Sequence, residues 1–364
     1  TAFLGARTMR RARASPERGP DITGAASSRD GFPSARTKSG ARAAAVLLVL
    51  LVVVVHRGVG SGGGVGVAST GVTRKIIGDG GVEAIWDVPP DAKGTVLALH
   101  GCSHDARDWF PMDTSACSEC RGLAQELQIT NAALDAGYAL LAVSSMGHCW
   151  SQEDVLRLAS ALDTYHEANR GMTRKPLYVF GASSGGSLAG ILPRVQLPKR
   201  PDGLIIQIMA GPTGGGLEAY PPTVMSHMPK DARTAEYVKA SIAELKAAGV
   251  KTVEHVLDQR RITDTFFAQE SSGRILPSES AGLYVSLRDE LNVLDADGHL
   301  TTDPRAFSDS QVETLRKRVD RSRDSLVPDV SDVREILNVA YAMHELSAQD
   351  FTKNLQWLID ASGT

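Results

Sequence analysis

From Val72 onward the apolar and polar positions repeat as short elements. "VTRKII" and "VEAIWDV" flank the turn "GDGG", a spacing that predicts two strands in an antiparallel hairpin. "GTVLALHG" (94–101) and "YALLAVSS" (138–145) are apolar without alternation, as expected of strands covered on both faces. A helix is predicted over 121–136, ended by Gly137. A second spans 151–171, with Val155, Leu158 and Leu162 on one face, Ser151 as its cap, Glu153 and Asp154 in its first turn and a stop at Gly171. "KPLYVFG", "DGLIIQIMAG", "PTVMSHM" and "KTVEHVLD" read as further strands, with a short helix "SLAGIL" and a long one over 232–249 between them.

Strands that alternate with helices imply an α/β fold, a mostly parallel sheet wrapped on both faces and opened here by the antiparallel hairpin. In such sheets ligands sit beyond the carboxyl ends of the strands. "HGCSHD", "SSMGHCW", "GASSGG" and "HMPKD" all fall at that end.

The first 71 residues read differently. Residues 1–60 carry ten Lys/Arg against Glu17, Asp21 and Asp30, with little apolar periodicity, so residues 1–42 are expected to be a disordered basic segment. Residues 43–57 contain the apolar run Ala43–Val55, followed by His56 and Arg57. A bilayer core needs about 20 apolar residues, whereas runs of about 10–14 suit a signal h-region or a buried segment. Basic sequence before the run and a Gly-rich linker over 58–71 after it favour a signal or anchor segment. The expectation is membrane association through residues 43–55, with the following domain in the secretory or endomembrane lumen or outside the cell; a plastid transit sequence is the alternative. The domain itself would occupy 72–364.

Composition adds exclusions. The net charge of −3 with 39 basic and 42 acidic residues gives no reason to expect a nucleic-acid partner. Four cysteines, Cys102, Cys117, Cys120 and Cys149, lie close together. Zinc would want a second closely spaced ligand pair. Two disulfides fit an exported domain better, with reduced thiols as the third reading. Cys102 with Cys149 is the expected pair, because each closely follows a predicted strand. No cofactor and no resident metal are expected.

Gly181-Ala182-Ser183-Ser184-Gly185 fits G-x-S-x-G, with a predicted strand before it and a helix after it. A sharp strand-to-helix turn strains its central residue and admits only small neighbours. It lifts one hydroxyl to the helix N-terminus, where backbone N–H groups stabilise negative charge. The segment lacks the Lys-Ser/Thr ending of a phosphate loop and the G-x-G-x-x-G spacing of a dinucleotide site. Ser183 is therefore the candidate nucleophile and Ser184 the weaker one.

A serine nucleophile needs a base and the base an acid, in the chain order Ser, Asp/Glu, His. His255 lies inside a predicted strand and His299 in a polar turn. His344 lies in a loop before a helix marked by Phe351, Leu355 and Leu358, and is the candidate base. Asp231 follows "PTVMSHM" and opens a helix; it is the candidate acid and also a candidate N-cap. Asp289, Asp329 and Asp332 are nearer in sequence but follow no apolar strand. The oxyanion donors are expected to be the backbone N–H of Ser184 and of Cys102, with Ser103 in reserve.

These stretches resemble the α/β-hydrolase superfamily: "LALHGCSHD" as the oxyanion strand, "GASSGG" as the elbow, "MSHMPKDARTA" as the acid loop and "MHELSAQDFTKNLQWL" as the histidine and last helix. More narrowly, "HGCSHDARDWFP", "VSSMGHCWS" and "LNVAYAMHEL" are similar to uncharacterised plant and algal α/β-hydrolase proteins with an N-terminal hydrophobic segment. The resemblance implies a Ser–Asp–His hydrolase and supplies no substrate. About 110 residues separate Asp231 from His344, more than a minimal member needs. Residues 259–335 therefore read as an insertion, with "SDSQVETLRKRVDRSRDSLV" helical, forming a lid or a wall of the substrate pocket. The expected activity is cleavage of a carboxylic ester or similar acyl bond in a small-molecule or lipid-like substrate. A peptidase or acyltransferase would use the same triad. A membrane-tethered binding protein on the same scaffold is the non-enzymatic alternative.

Overall fold

Apolar side chains alternate across the central strands, and each set finds its own layer. On strand β3 (Thr95–Leu99), Leu97 and Leu99 join one core while Val96 and Ala98 join the other. On β5 (Leu177–Ala182), Val179 faces the first layer, and Tyr178 and Phe180 face the second. This two-sided burial is why these segments are apolar throughout. In this computed structural model the described residues are 71–78, 81–112 and 115–363. The expected basic and apolar segments (1–42, 43–57), and all but the last residue of the expected linker (58–71), lie outside them.

Eight strands form one sheet in the order β1-β2-β4-β3-β5-β6-β7-β8. Strands β1 (Thr73–Ile77) and β2 (Val82–Asp87) are the expected hairpin. β2 also pairs antiparallel with β4 (Ala139–Val143). From β4 through β3, β5, β6 (Gly203–Gln207), β7 (Thr223–His227) and β8 (Thr252–Val256) every pairing is parallel. Helices α2 (Asp154–Ala168), α3 (Ser184–Ile191) and α4 (Ala232–Ala247) pack on one face through Leu158, Leu188 and Val238. Helices α1 (Ala124–Asp135) and α9 (Phe351–Ser362) cover the other through Ile129, Phe351 and Leu355. This is the α/β-hydrolase architecture.

Between β8 and α9 the chain builds α5 (Phe266–Glu270), α6 (Pro277–Val285), α7 (Asp309–Arg316) and α8 (Asp332–Tyr341). The first three fall within 259–335, and α8 runs across its end. These helices have an apolar core of their own, including Phe267, Leu283, Leu287 and Ile336, which reaches the sheet domain at Ala124.

Two local expectations are corrected. Ser151 does not cap α2: the polarity is reversed, and Asp154 accepts from the Ser151 N–H (2.8 Å) and the Met146 N–H (2.9 Å). The segment 308–327 is helical only over Asp309–Arg316. Beyond it, Asp320 and Asp324 accept from Ser322 N–H and Leu326 N–H, short side-chain bonds that compete with a helix ladder. Among the described residues, no helix is long and apolar enough to cross a membrane.

Candidate active site

Ser183 sits between β5 and α3 with φ 51 and ψ −118, a strained setting for a residue with a Cβ, costing roughly 1–3 kcal/mol. Its neighbours hold it there. The Ser183 N–H donates to the Gln207 carbonyl (3.0 Å), and its own carbonyl accepts from Ser187 N–H (3.0 Å). Only glycine fits on either side. A Cβ on Gly181 would lie 2.4 Å from the Gly185 carbonyl oxygen, and one on Gly185 would lie 2.2 Å from the Leu99 oxygen. The same contact brings the N-terminus of α3 against the end of β3.

Three residues named from the sequence come together here. Ser183 Oγ lies 3.0 Å from His344 Nε2, and His344 Nδ1 lies 2.5 Å from Asp231 Oδ2. Burial pushes the Asp231 carboxyl up, but hydrogen bonds from Thr234 and His344 outweigh it and leave its pKa lowered. An ionised carboxylate only accepts. The Nδ1 of His344 therefore carries the proton, and in the neutral ring Nε2 is free to accept from the serine. Asp231 also accepts from Thr234 N–H (3.2 Å) as N-cap of α4, so the structural and site roles coexist. Ser184 Oγ is buried without a hydrogen-bond partner. Asp289 pairs with Arg288, and Asp332 with Arg274. His255 lies in β8, and His299 donates its N–H to Asp295.

The loop after β3 is tied to the loop after β4 by several bonds. Cys102 and Cys149 form a disulfide. Trp150 Nε1–H donates to the His100 carbonyl (2.9 Å), Ser145 N–H donates to His100 Nε2 (3.0 Å), and Ser103 N–H donates to the His148 carbonyl (2.8 Å). Burial lowers the His100 pKa to about 4, so the ring is neutral, and its Nδ1–H donates to the Gly101 carbonyl (2.6 Å). Ser103 is thus engaged, whereas the Cys102 N–H has no acceptor among the described residues. Nor does the N–H of Ser184, first residue of α3, where helices leave their donors unpaired. Cys117 pairs with Cys120, so the sulfurs that the zinc alternative required are in disulfides.

Ser183 and His344 open into a cavity of about 290 Å³, with Gly101, Cys102, His104, Glu126, Arg305 and Asp329 on its walls. Sequence reasoning missed several of these. Burial lowers the His104 pKa, but the bond to Asp108 Oδ2 (3.2 Å) and the nearby Glu126 outweigh it and raise the value to about 9, so the ring is cationic at neutral pH. Burial pushes Glu126 up to about 7 and also raises its neighbour Glu335 well above the usual carboxylate range; two adjacent buried carboxyls do not both ionise readily. Arg305 donates to the carbonyls of Met343 and His344 (2.8 Å to the latter) and pairs with Glu345 (3.1 Å). Gln207 clamps the histidine loop, donating to the Ser347 carbonyl (2.9 Å) and accepting from its N–H (3.1 Å). A polar residue ending the apolar run "GLIIQ" was the available signal for Gln207. Nothing in the sequence marked Arg305.

No protein-family model matches the chain, and no curated protein matches it. Among solved structures it is similar to a fungal esterase from Rhizomucor miehei (12% identity, 52% of this chain and 74% of that one, TM-score 0.39). It is also similar to carboxyl esterase 2 from Tuber melanosporum (13%, 52% and 76%, 0.36) and to dienelactone hydrolase from Anabaena variabilis (17%, 51% and 84%, 0.36). Similarity at this level does not identify a reaction.

Proposed function

We propose that this chain is a serine hydrolase that cleaves a carboxylic ester or similar acyl bond. The observation that carries the reading is the unbroken hydrogen-bond line Ser183 Oγ–His344–Asp231 (3.0 and 2.5 Å) at a strained elbow. The Ser183 hydroxyl adds to the substrate carbonyl while His344 Nε2 takes its proton. Asp231 keeps the ring in the Nδ1–H tautomer and stabilises its positive charge. The Ser184 and Cys102 N–H groups receive the developing oxyanion. His344 returns the proton to the leaving group. Water, activated by the same imidazole, then releases the acyl group from Ser183.

The two disulfides support placing the domain in an oxidising compartment. The resemblance to plant and algal hydrolases with a hydrophobic leader, and the run Ala43–Val55, agree with delivery to a membrane or the secretory lumen. The experiment is labelling with a fluorophosphonate probe. Wild type is expected to label, while Ser183→Ala and His344→Ala are not. A folded wild type that stays unlabelled would instead support the non-catalytic binding reading.

A further inference from the structure

A second chamber of about 290 Å³ adjoins the one at Ser183; His104, Arg305, Asp329 and Glu345 line both. Its far wall is α8, and Arg334 lines it. Among the described residues, Arg334 is the one non-exposed arginine whose guanidinium has neither a hydrogen bond nor an ion pair. The contrast with a larger cavity of about 440 Å³ elsewhere is direct. There Arg121, Arg274 and Arg323 line the wall, and each carries a carboxylate: Asp108, Asp332 and Glu279.

The acids around Arg334 do not answer it. Glu345 is held by Arg305 (3.1 Å) and by Asn338 Nδ2 (2.8 Å). Glu335 accepts from the Gln125 N–H (3.2 Å) and is buried beside Glu126. Asp329 is exposed and near enough to act on Arg334 electrostatically, but no ion pair forms. Burial disfavours the charge on Arg334, as do Arg305 and Arg316, with Asp329 opposing. A guanidinium nevertheless stays charged in proteins and presents a planar fork of donors. His104, cationic on Asp108, and Arg305 line both chambers.

We propose that Arg334 receives an anionic group of the substrate, so that the ester attacked by Ser183 carries a carboxylate at its end remote from the scissile bond. The scissile carbonyl sits in the first chamber and the carboxylate in the second, where the fork of Arg334 takes it in bidentate fashion. The proposal rests on the hydrolase reading and adds the substrate class.

The test compares 4-nitrophenyl hydrogen glutarate with its neutral terminal amide. Wild type is expected to favour the anionic ester by about tenfold or more in kcat/KM, since a site built for a polar group rejects the analogue lacking it. In Arg334→Gln the ratio is expected to fall to near one, and in Arg334→Lys to lie between. A wild-type ratio of one or less, or a ratio kept in Arg334→Gln, overturns the proposal while leaving the hydrolase intact. Should wild type turn over neither ester, calorimetry with glutarate decides. Saturable binding that Arg334→Gln loses supports the anion site, and no binding to wild type overturns it. Fluorophosphonate labelling of Ser183 reports separately on the hydrolase reading.

Discussion

The rim of the sheet and the inserted segment both line the cavity at Ser183, the segment through Arg305 and Asp329, but they are held by different means. At the rim the elbow is fixed by backbone and the adjoining loops by backbone and side chains together. Gly181 and Gly185 have no room for a Cβ, Ser183 hangs from the Gln207 carbonyl, and the loop after β3 is stitched to the loop after β4 by a disulfide and hydrogen bonds. In α5–α8 the tertiary ties are chiefly an apolar core and side-chain pairs such as Arg260–Glu270 and Arg274–Asp332, beside a backbone bond from the Arg260 N–H to the Ala340 carbonyl (2.9 Å). Backbone dictates geometry whatever the neighbouring side chains are, which suits bond-breaking. Side-chain walls are easily changed, which suits choice of substrate. The two regions meet through Arg305, whose guanidinium holds the carbonyls of Met343 and His344.

The hardest test of the rim is loss of its chemistry. Ser183→Ala is expected to lower kcat by on the order of 10⁶-fold and Asp231→Asn by roughly 10⁴-fold, read as steady-state hydrolysis of a 4-nitrophenyl ester. The disulfides give the next contrast. Replacing Cys102 and Cys149 by serine removes a cross-link between residues 47 apart, against 3 for Cys117–Cys120. The expected losses in urea unfolding are about 4 and about 2 kcal/mol from loop entropy. Only the first pair is expected to cost rate as well, up to about 10²–10³-fold if the Cys102 donor is displaced. Equal rate losses from both pairs would break the assignment of Cys102 to the oxyanion loop.

Arg305→Ala sharpens the boundary between the regions. In the proposed hydrolase Arg305 would position His344, whose carbonyl it holds and which has a positive φ of 43. Its loss is expected to lower kcat by about 10- to 100-fold, with KM changed only a few-fold. A change confined to KM would instead make Arg305 part of the substrate wall alone.

What could be read from the sequence follows the same division. The elbow was legible because a strained turn demands Gly181 and Gly185, and that demand is written in residue type. Asp231 and His344 were legible because each occupies a loop next to a well-patterned element. The α/β order followed from apolar runs covered on both faces. Arg334, Glu126 and Glu335 were not legible: they lie at helical positions where a charged residue ordinarily faces solvent, and only the packing of α8 on α1 turns them inward. The cap of α2 was misread because Ser151 and Asp154 can each serve the other, and spacing alone does not say which accepts.

The smallest expected effect concerns the buried acid that belongs to both regions. Glu126 on α1, which lines the first chamber, meets Glu335 on α8, which lines the second, and burial pushes both carboxyls up, Glu126 to about 7 from 4.5. A group whose folded pKa is raised holds its proton in the native state after the unfolded chain has released it. Its contribution is therefore fully present below about pH 4.5 and is lost as pH rises through about 7. His100, lowered to about 4, works the other way below pH 6.5, and His104, raised to about 9, loses its contribution from pH 6.5 to 9. The difference between wild type and Glu126→Gln cancels His100, on which Glu126 does not act, and carries with the carboxyl its effects on His104 and Glu335. Relative to wild type, Glu126→Gln is expected to gain stability as pH rises from 5 to 7.5, by on the order of 1–3 kcal/mol. Urea unfolding at four pH values measures this. A difference that stays flat from pH 5 to 7.5 would mean that water reaches the pair and that α8 does not seal against α1, which would remove the wall on which Arg334 stands.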